Sequence, residues 1–361
     1  MTSLLRSAGL VAVAVTLVSL FLSPRTHAAE TGPRGTLITE HFQSHVLRKT
    51  RTGLDPNRSI TIYLPPGYAE SGKAYPVVYY FHSINWSPEK MFEDGNLVRL
   101  IERAFARGLA PEFIFIAADY TSPTMGSWFE NSPTTGRWID FTLDELVPFI
   151  DGRFRTLRHR NSRAVVGDFI GGYGALKFAM LRPDLFSVVY ALHPVATGGG
   201  LIPMQDMVDW PRVHAAKSFS ELWGDYYAPG FVAISQAYLP NPDRPPFFCD
   251  FIVEMENGAP KFDPARVRQL EHNFYLSELL REKADSLRQM RGLAFDWGRY
   301  DVTQSHVYSN QAFTRTLDQL GIEHTAEEYN GNHWNRNWTD DGRFYTRVLP
   351  FLGRHLVADA K

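Results

Sequence analysis

The stretch Arg163–Met180 constrains the fold of this chain more than any other segment. Its sequence, RAVVGDFIGGYGALKFAM, opens with a short apolar run that ends at a glycine and continues directly into small and apolar residues. An apolar run of this length favours a buried strand, and the residues from Gly172 onward favour a closely packed helix. The sequence therefore predicts a strand, a sharp turn and a helix in immediate succession.

The same alternation of strand-like and helix-like segments recurs along the chain. It predicts a largely parallel sheet covered by helices, and the continuous apolar runs favour central strands that are buried on both faces. The predicted strands are Ser59–Leu64, Pro76–His82, Glu112–Ala118, Arg163–Gly167, Ser187–His193, Gly292–Trp297 and Glu323–Tyr329. The predicted helices are Gly95–Arg107, Asp140–Phe154, Gly172–Leu181, His306–Leu320 and Gly342–Val357.

Residues 198–290 interrupt this alternation. A glycine-rich exit is followed by several aromatic residues, a turn-rich segment and one predicted helix over Pro264–Met290. We interpret the region as an insertion that lies over the ends of the strands as a cap. The alternative is a packed helical excursion with no part in binding.

The first residues predict export. Arg6 precedes an uncharged, mostly apolar run over Leu10–Leu22, and Thr26-His27-Ala28 offers small residues at the positions that signal peptidase recognises. The apolar run is too short to cross a bilayer as a helix. We expect residues 1–28 to be a cleaved signal peptide, residues 29–361 to be the folded domain, and the protein to be secreted or periplasmic. The rival interpretation is an uncleaved membrane anchor.

Composition excludes several classes of function. The formal net charge of -2 provides no basic field for nucleic acid. Cys249 is the only cysteine, so no disulfide can form within the chain. The 12 histidines show no metal-binding spacing, and we predict no metal and no cofactor. No stretch beyond the leader predicts stable membrane insertion, and the oligomeric state is left open.

The turn inside Arg163–Met180 has the layout of a nucleophile elbow, G-x-S-x-G. Gly167 and Gly171 take the two glycine positions, where the strand and the helix must pass closely. The middle position is Phe169, and a phenyl ring has no oxygen or sulfur that can attack a carbonyl. Because a bulky residue at such a turn is strained, we expect the elbow to have relaxed.

Several ordered motifs extend the pattern over most of the chain. They are ITIYLPPGY, YPVVYYFH, NSPTTGRW, ALKFAMLRPDLFSVV, FDWGRYD and EEYNGNHWNRNW. With these motifs the chain resembles the esterase family that includes esterase D, feruloyl esterases and mycolyltransferases. The resemblance implies a three-layer α/β-hydrolase sandwich with a mostly parallel central sheet, and activity on small-molecule esters.

The resemblance also implies a catalytic triad in the order serine, acid, histidine. Phe169 occupies the position of the serine, Asp301 that of the acid and His333 that of the histidine. The oxyanion hole would use the backbone N–H of Ile170 and one from the loop after the strand YPVVYYFH. In that loop Ser83 stands where many members have glycine.

Tryptophans fall mainly in predicted loops and suggest a ligand cleft. Trp86, Trp128, Trp138 and Trp334 are the candidates, because an indole face can stack on a sugar ring or an aromatic acyl group. For any one of them, packing in the core is the competing interpretation.

Three functions fit this sequence. The leading hypothesis is a non-catalytic pseudo-esterase that keeps a cleft for a glycan or an acyl ester. The second is an enzyme that uses His333 and Asp301 as a general acid–base pair without a covalent intermediate. The third is a variant of an ordinary carboxylesterase or acyltransferase. The sequence leaves open whether the protein is an enzyme.

Overall fold

The computed structural model describes residues 34–84, 86–198, 207–225, 227–333 and 337–359. The predicted signal peptide, residues 1–28, lies outside the described residues. Within the described ranges, no helix is long and apolar enough to cross a membrane.

The described residues form an eight-stranded sheet. Its strands are β1 Thr36–Gln43, β2 Asn57–Leu64, β3 Val77–Phe81, β4 Ile114–Ala118, β5 Arg163–Asp168, β6 Val188–Leu192, β7 Gly292–Gly298 and β8 Thr325–Tyr329. The order across the sheet is β1-β2-β4-β3-β5-β6-β7-β8. Only β1–β2 and β2–β4 pair antiparallel, and the remaining neighbours are parallel. The mostly parallel sheet is therefore as predicted, with β1 added at one edge.

The helices cover both faces of the sheet. They are α1 Tyr68–Ser71, α2 Pro88–Phe92, α3 Asn96–Ala106, α4 Trp138–Arg153 with a π-helical stretch Phe141–Leu146, α5 Ile170–Leu181, α6 Trp210–Ala215, α7 Tyr227–Tyr238, α8 Pro264–Phe274, α9 Leu276–Arg288, α10 Gln304–Gln319 and α11 Phe344–His355, which opens with the π-helical stretch Phe344–Val348. Short 3₁₀ turns lie at Arg160–Ser162 and Phe219–Leu222, and two-stranded ribbons pair Asn131–Ser132 with Gly136–Arg137 and Val253–Glu256 with Ala259–Phe262.

Alternate residues of the central strands build two separate apolar clusters. In β3, Val77, Tyr79 and Phe81 join one cluster, whereas Val78 and Tyr80 join the other. Successive side chains of a strand point to opposite faces, so the two clusters are the two helix–sheet interfaces of a three-layer structure. The first contains residues of α4, α5 and α10, and the second contains residues of α3 and α11.

The segment between β6 and β7 contains α6, α7, one ribbon, α8 and α9. The prediction of a single helix over Pro264–Met290 is wrong, because the chain is extended at Tyr275 (φ -76°, ψ 131°) and forms two helices. Neither glycine nor proline marks this break in the sequence. α9 packs on α5 and so belongs to the body of the domain. Whether the rest acts as a cap stays a prediction.

Candidate active site

Phe169 holds the backbone conformation of a tight elbow. Its φ of 54° and ψ of -113° lie in a region that is strained for a residue with a side chain, between β5 and the first residue of α5. The expectation that this turn has relaxed is wrong. A Cβ on Gly167 would overlap the carbonyl of Gly171, and one on Gly171 would overlap the carbonyl of Phe81. The close crossing of strand and helix therefore keeps the turn sharp, whichever side chain stands at its tip.

The Phe169 ring lies against three imidazoles. Its centroid is 4.8 Å from that of His333, with the planes at 24°, so the two rings stack. The ring meets His306 edge to face at 5.5 Å and lies 6.4 Å from His193. Only 5% of Phe169 is exposed. The ring thus fills the space between the elbow and the histidine of the predicted triad.

The structure places the predicted acid and histidine side by side. Asp301 follows β7 and His333 follows β8, and Nδ1 of His333 lies 3.1 Å from Oδ1 of Asp301. The carboxyl ends of neighbouring parallel strands meet at one edge of the sheet, which explains why residues so far apart in sequence come together.

Asp301 also binds two histidines that the sequence interpretation missed. Nε2 of His193, just after β6, lies 2.7 Å from Oδ2 of Asp301, and Nδ1 of His306, near the start of α10, lies 2.9 Å from the same oxygen. The backbone N–H of Thr303 donates to Oδ1 at 2.9 Å. The only available signal was that His193 ends a predicted strand whose neighbour precedes Asp301.

The protonation states in this cluster follow from its hydrogen bonds. The backbone N–H of Gly298 donates to Nδ1 of His193 at 2.8 Å, so the proton of this imidazole is on Nε2 and is donated to Asp301. Burial lowers the pKa of His193 to about 4, against the opposing effect of Asp301. Burial alone would raise the pKa of Asp301, but hydrogen bonds from His193, His306 and His333 outweigh it and hold that pKa well below its usual range. Asp301 is therefore an ionised acceptor.

The proton on Nε2 of His193 argues against a metal ion bound by His193, Asp301 and His333. One ligand atom each from His193, Asp301 and His333 lies within 4.8 Å of the others, which is close enough to surround an ion. In neutral His193, however, the lone pair is on Nδ1 and accepts from Gly298, so Nε2 cannot coordinate. Two ligands of this group would remain, fewer than the three that catalytic zinc sites use.

The predicted oxyanion residues differ in their surroundings. Ile170 begins α5, where backbone N–H groups have no acceptor within the helix. Ser83 is fully buried, and its side-chain oxygen has no hydrogen-bond partner among the described residues. Ile84, one residue later, lines an apolar cleft beside the elbow. The roles of Ile170 and Ser83 as oxyanion donors stay predictions.

The buried carboxyl group of Asp168 should make the folding stability of the protein depend on pH. Burial raises its pKa to about 7, although the Tyr80 hydroxyl at 2.8 Å and the Ser83 amide act in the opposite direction. The folded protein therefore binds an extra proton between about pH 4, the ordinary carboxyl value, and about pH 7, so this group makes stability fall as pH rises through that window. We expect the stability of Asp168→Asn relative to the unmutated protein to rise between pH 5 and pH 8, by on the order of 2 kcal/mol.

Urea unfolding of both proteins at pH 5, 6, 7 and 8 measures this difference. Because all other titrating groups are shared, the difference between the two curves isolates Asp168. A difference that stays constant over this range would contradict the raised pKa.

An apolar cleft opens beside the elbow. Its cavity volume is about 60 Å³, and the empty space in and around it, open solvent included, is about 730 Å³. Phe169 and His306 line it, whereas His333 does not. The other lining residues are Ile84, Met125, Trp128, Val195, Ala196, Gly198, Gly230, Ile234, Phe274, Tyr275, Ser305 and Ser309. The position of the cleft next to the elbow makes it the candidate ligand site.

The predicted tryptophans separate into different environments. Trp128 lines the cleft. Trp138 is fully buried and its indole N–H is donated to a backbone carbonyl, so the prediction that it binds ligand is wrong. Trp86 lines a different surface depression together with Trp338, so it is not part of the cleft. Trp334 lies outside the described residues.

Comparison with known proteins assigns the family. The sequence model of the family described as "Putative esterase" matches residues 52–243, which is more than half of the 361 residues. The chain belongs to this esterase family. An esterase of Mycobacterium tuberculosis (strain ATCC 25618 / H37Rv) is 28% identical over 127 residues, covering 34% of this chain and 26% of the relative. The match thus spans about a quarter of that esterase's length.

Solved structures of esterases share the fold. A ferulic acid esterase covers 89% of this chain and 98% of its own, with a TM-score of 0.60 and 18% identity. A ferulic acid esterase of Anaeromyces mucronatus, in complex with ferulic acid, covers 91% of this chain and 94% of its own, with a TM-score of 0.54 and 17% identity. At these identities the likeness shows the fold alone, and it confirms the predicted α/β-hydrolase class for this esterase-family chain.

Proposed function

We propose that this esterase-family protein is exported and binds a small ester or acyl compound without hydrolysing it through an acyl-enzyme. The observation that carries the proposal is the Phe169 ring, which stacks on His333 where the resemblance places the serine. A covalent acyl mechanism needs a nucleophilic atom at this point, and a phenyl ring has none. We propose export because residues 1–28 have the pattern of a signal peptide.

The lining of the cleft favours an acyl or aryl ligand over a glycan. Most lining side chains are aliphatic or aromatic, among them Met125, Trp128, Val195, Ile234 and Phe274. A sugar would lose water at many hydroxyls on entering such a cleft and would find few partners in return. An aromatic or aliphatic acyl group loses little, and the ferulic acid held by the fungal relative is an aryl acid of this kind.

A binding assay with methyl ferulate tests the proposal. We expect saturable binding by calorimetry, with the ester recovered intact by chromatography after hours of incubation. Gly230→Phe is expected to weaken binding at least about tenfold, because Gly230 lines the cleft and no atom lies within 4 Å of a Cβ built there. The control is Gly152→Phe, since Gly152 is also a helical glycine with open space around it but lies outside the cleft.

A water-based hydrolase is the second candidate, and the contact between His333 and Asp301 favours it. In that case the unmutated protein would hydrolyse the ester, and His333→Ala would abolish the reaction. Such a result would contradict the non-catalytic proposal. Equal binding by Gly230→Phe and Gly152→Phe would show that the cleft is not the ligand site.

A further inference from the structure

His306 is the histidine of the Asp301 cluster that faces the cleft. It lies in the first turn of α10 and lines the cleft beside Phe169, and 13% of its side chain is exposed. Both ring nitrogens of His333, by contrast, are shut off from solvent. The histidine that a ligand would meet is therefore not the one that the resemblance implies.

The contact with Asp301 determines which hydrogen bond His306 can offer. The carboxylate is ionised and can only accept, so Nδ1 of His306 carries a proton and donates it to Oδ2 over 2.9 Å. In the tautomer with its single proton on Nδ1, the lone pair is on Nε2. This atom makes no hydrogen bond within the described part of the chain, and it is not among the fully buried unpartnered atoms, so it remains accessible.

Three other residues that line the cleft also have polar atoms without a hydrogen-bond partner among the described residues. Nε1 of Trp128, Oη of Tyr275 and Oγ of Ser305 are buried and have no hydrogen-bond partner among the described residues. Trp128 and Tyr275 are each only 6% exposed. A buried polar group without a hydrogen-bond partner is destabilising, so such groups in residues that line a cleft point to an occupant that satisfies them. The occupant is therefore apolar in its body but not wholly apolar.

We propose that His306 is a ligand-recognition residue whose Nε2 accepts a hydrogen bond from a hydroxyl group on an apolar ligand. The ligand class is then a phenol or an alcohol with an aromatic or aliphatic body. This inference rests on the proposed binding function of the cleft. The groups that face His306 are consistent with it: Asp301 fixes the proton on Nδ1, His193 donates to the same oxygen, and Phe169 packs edge to face on the ring.

Binding of two ligands to the unmutated protein and to three variants tests the proposal. The probes are 4-propylphenol and its methyl ether, 4-propylanisole, which cannot donate a hydrogen bond. We expect the unmutated protein to bind the phenol about five to tenfold more tightly than the ether. In His306→Phe this preference should fall below about twofold, and in His45→Gln, a change at an exposed histidine outside the cleft, it should remain. His306→Gln keeps an acceptor and is expected to retain part of the preference.

Equal affinity for the phenol and the ether in the unmutated protein would overturn recognition by His306, whatever the variants do. A preference that persists unchanged in His306→Phe would overturn it as well. If Gly230→Phe weakens both probes while the preference is absent, the binding function stands and only this inference fails. If neither probe binds the unmutated protein, the binding function fails and this inference with it.

Discussion

Phe169→Ser is expected to raise the hydrolysis of simple acyl esters at least about a thousandfold over the unmutated protein. Loss of the nucleophile alone costs a serine hydrolase about a millionfold in kcat, so even partial restoration is a large effect. The elbow already has the sharp geometry that presents a side chain, and Asp301 already contacts His333. The substitution supplies a hydroxyl and removes the ring that stacks on His333.

The measurement is kcat/KM for p-nitrophenyl acetate, together with mass spectrometry after treatment with a serine-directed phosphonate. Phe169→Ala is the matched control, because it clears the ring without supplying a nucleophile. We expect Phe169→Ala to stay near background and the double variant Phe169→Ser, His333→Ala to lose the gain. Equal activity in the serine and alanine variants would mean that water, and not the introduced hydroxyl, attacks the ester. If neither Phe169→Ser nor Phe169→Ala hydrolyses the ester, the remaining residues of the site do not support catalysis.

Gly171→Ala is expected to cost about 3 kcal/mol of folding free energy or to prevent folding. A Cβ at this position would overlap the backbone carbonyl of Phe81, which belongs to the central strand β3 and cannot move aside alone. Gly152→Ala is the control, because Gly152 lies in an exposed turn of α4 with open space where the added methyl group would lie. It should gain about 0.5–1 kcal/mol, the usual benefit of alanine over glycine in a helix.

Urea unfolding of both variants gives the two free energies under one set of conditions. A Gly171→Ala protein whose stability lies within about 1 kcal/mol of the unmutated protein would contradict the argument that close crossing keeps the elbow sharp. Because this prediction concerns stability alone, it does not depend on any ligand or activity.

Most of the fold follows from sequence pattern, and the exceptions have physical reasons. β3 and β4 are buried on both faces, so their apolar runs stand out. β1 is missing from the predicted strands because it is an edge strand with polar residues and partly exposed side chains. The break at Tyr275 depends on how α8 and α9 pack against the domain, and no local residue type reveals it.

The candidate site was predictable only where a motif marks it. The glycines of the elbow pointed to Phe169, and the family resemblance pointed to Asp301 and His333. His193 and His306 have no spacing pattern of their own, since β6, β7 and the start of α10 meet at Asp301 only in the folded chain. Trp138 shows the opposite error, because a tryptophan in a predicted loop begins a helix and enters the core.

The elbow has a practical consequence for chemical labelling. Its backbone shape depends on Gly167 and Gly171, so it holds whichever side chain occupies position 169 at the floor of the cleft. The chain has one cysteine, Cys249, which is fully buried, and burial raises the pKa of its thiol. Phe169→Cys would therefore give a protein with one reactive thiol, placed where a disulfide-bearing fragment could be captured and its fit to the cleft measured compound by compound.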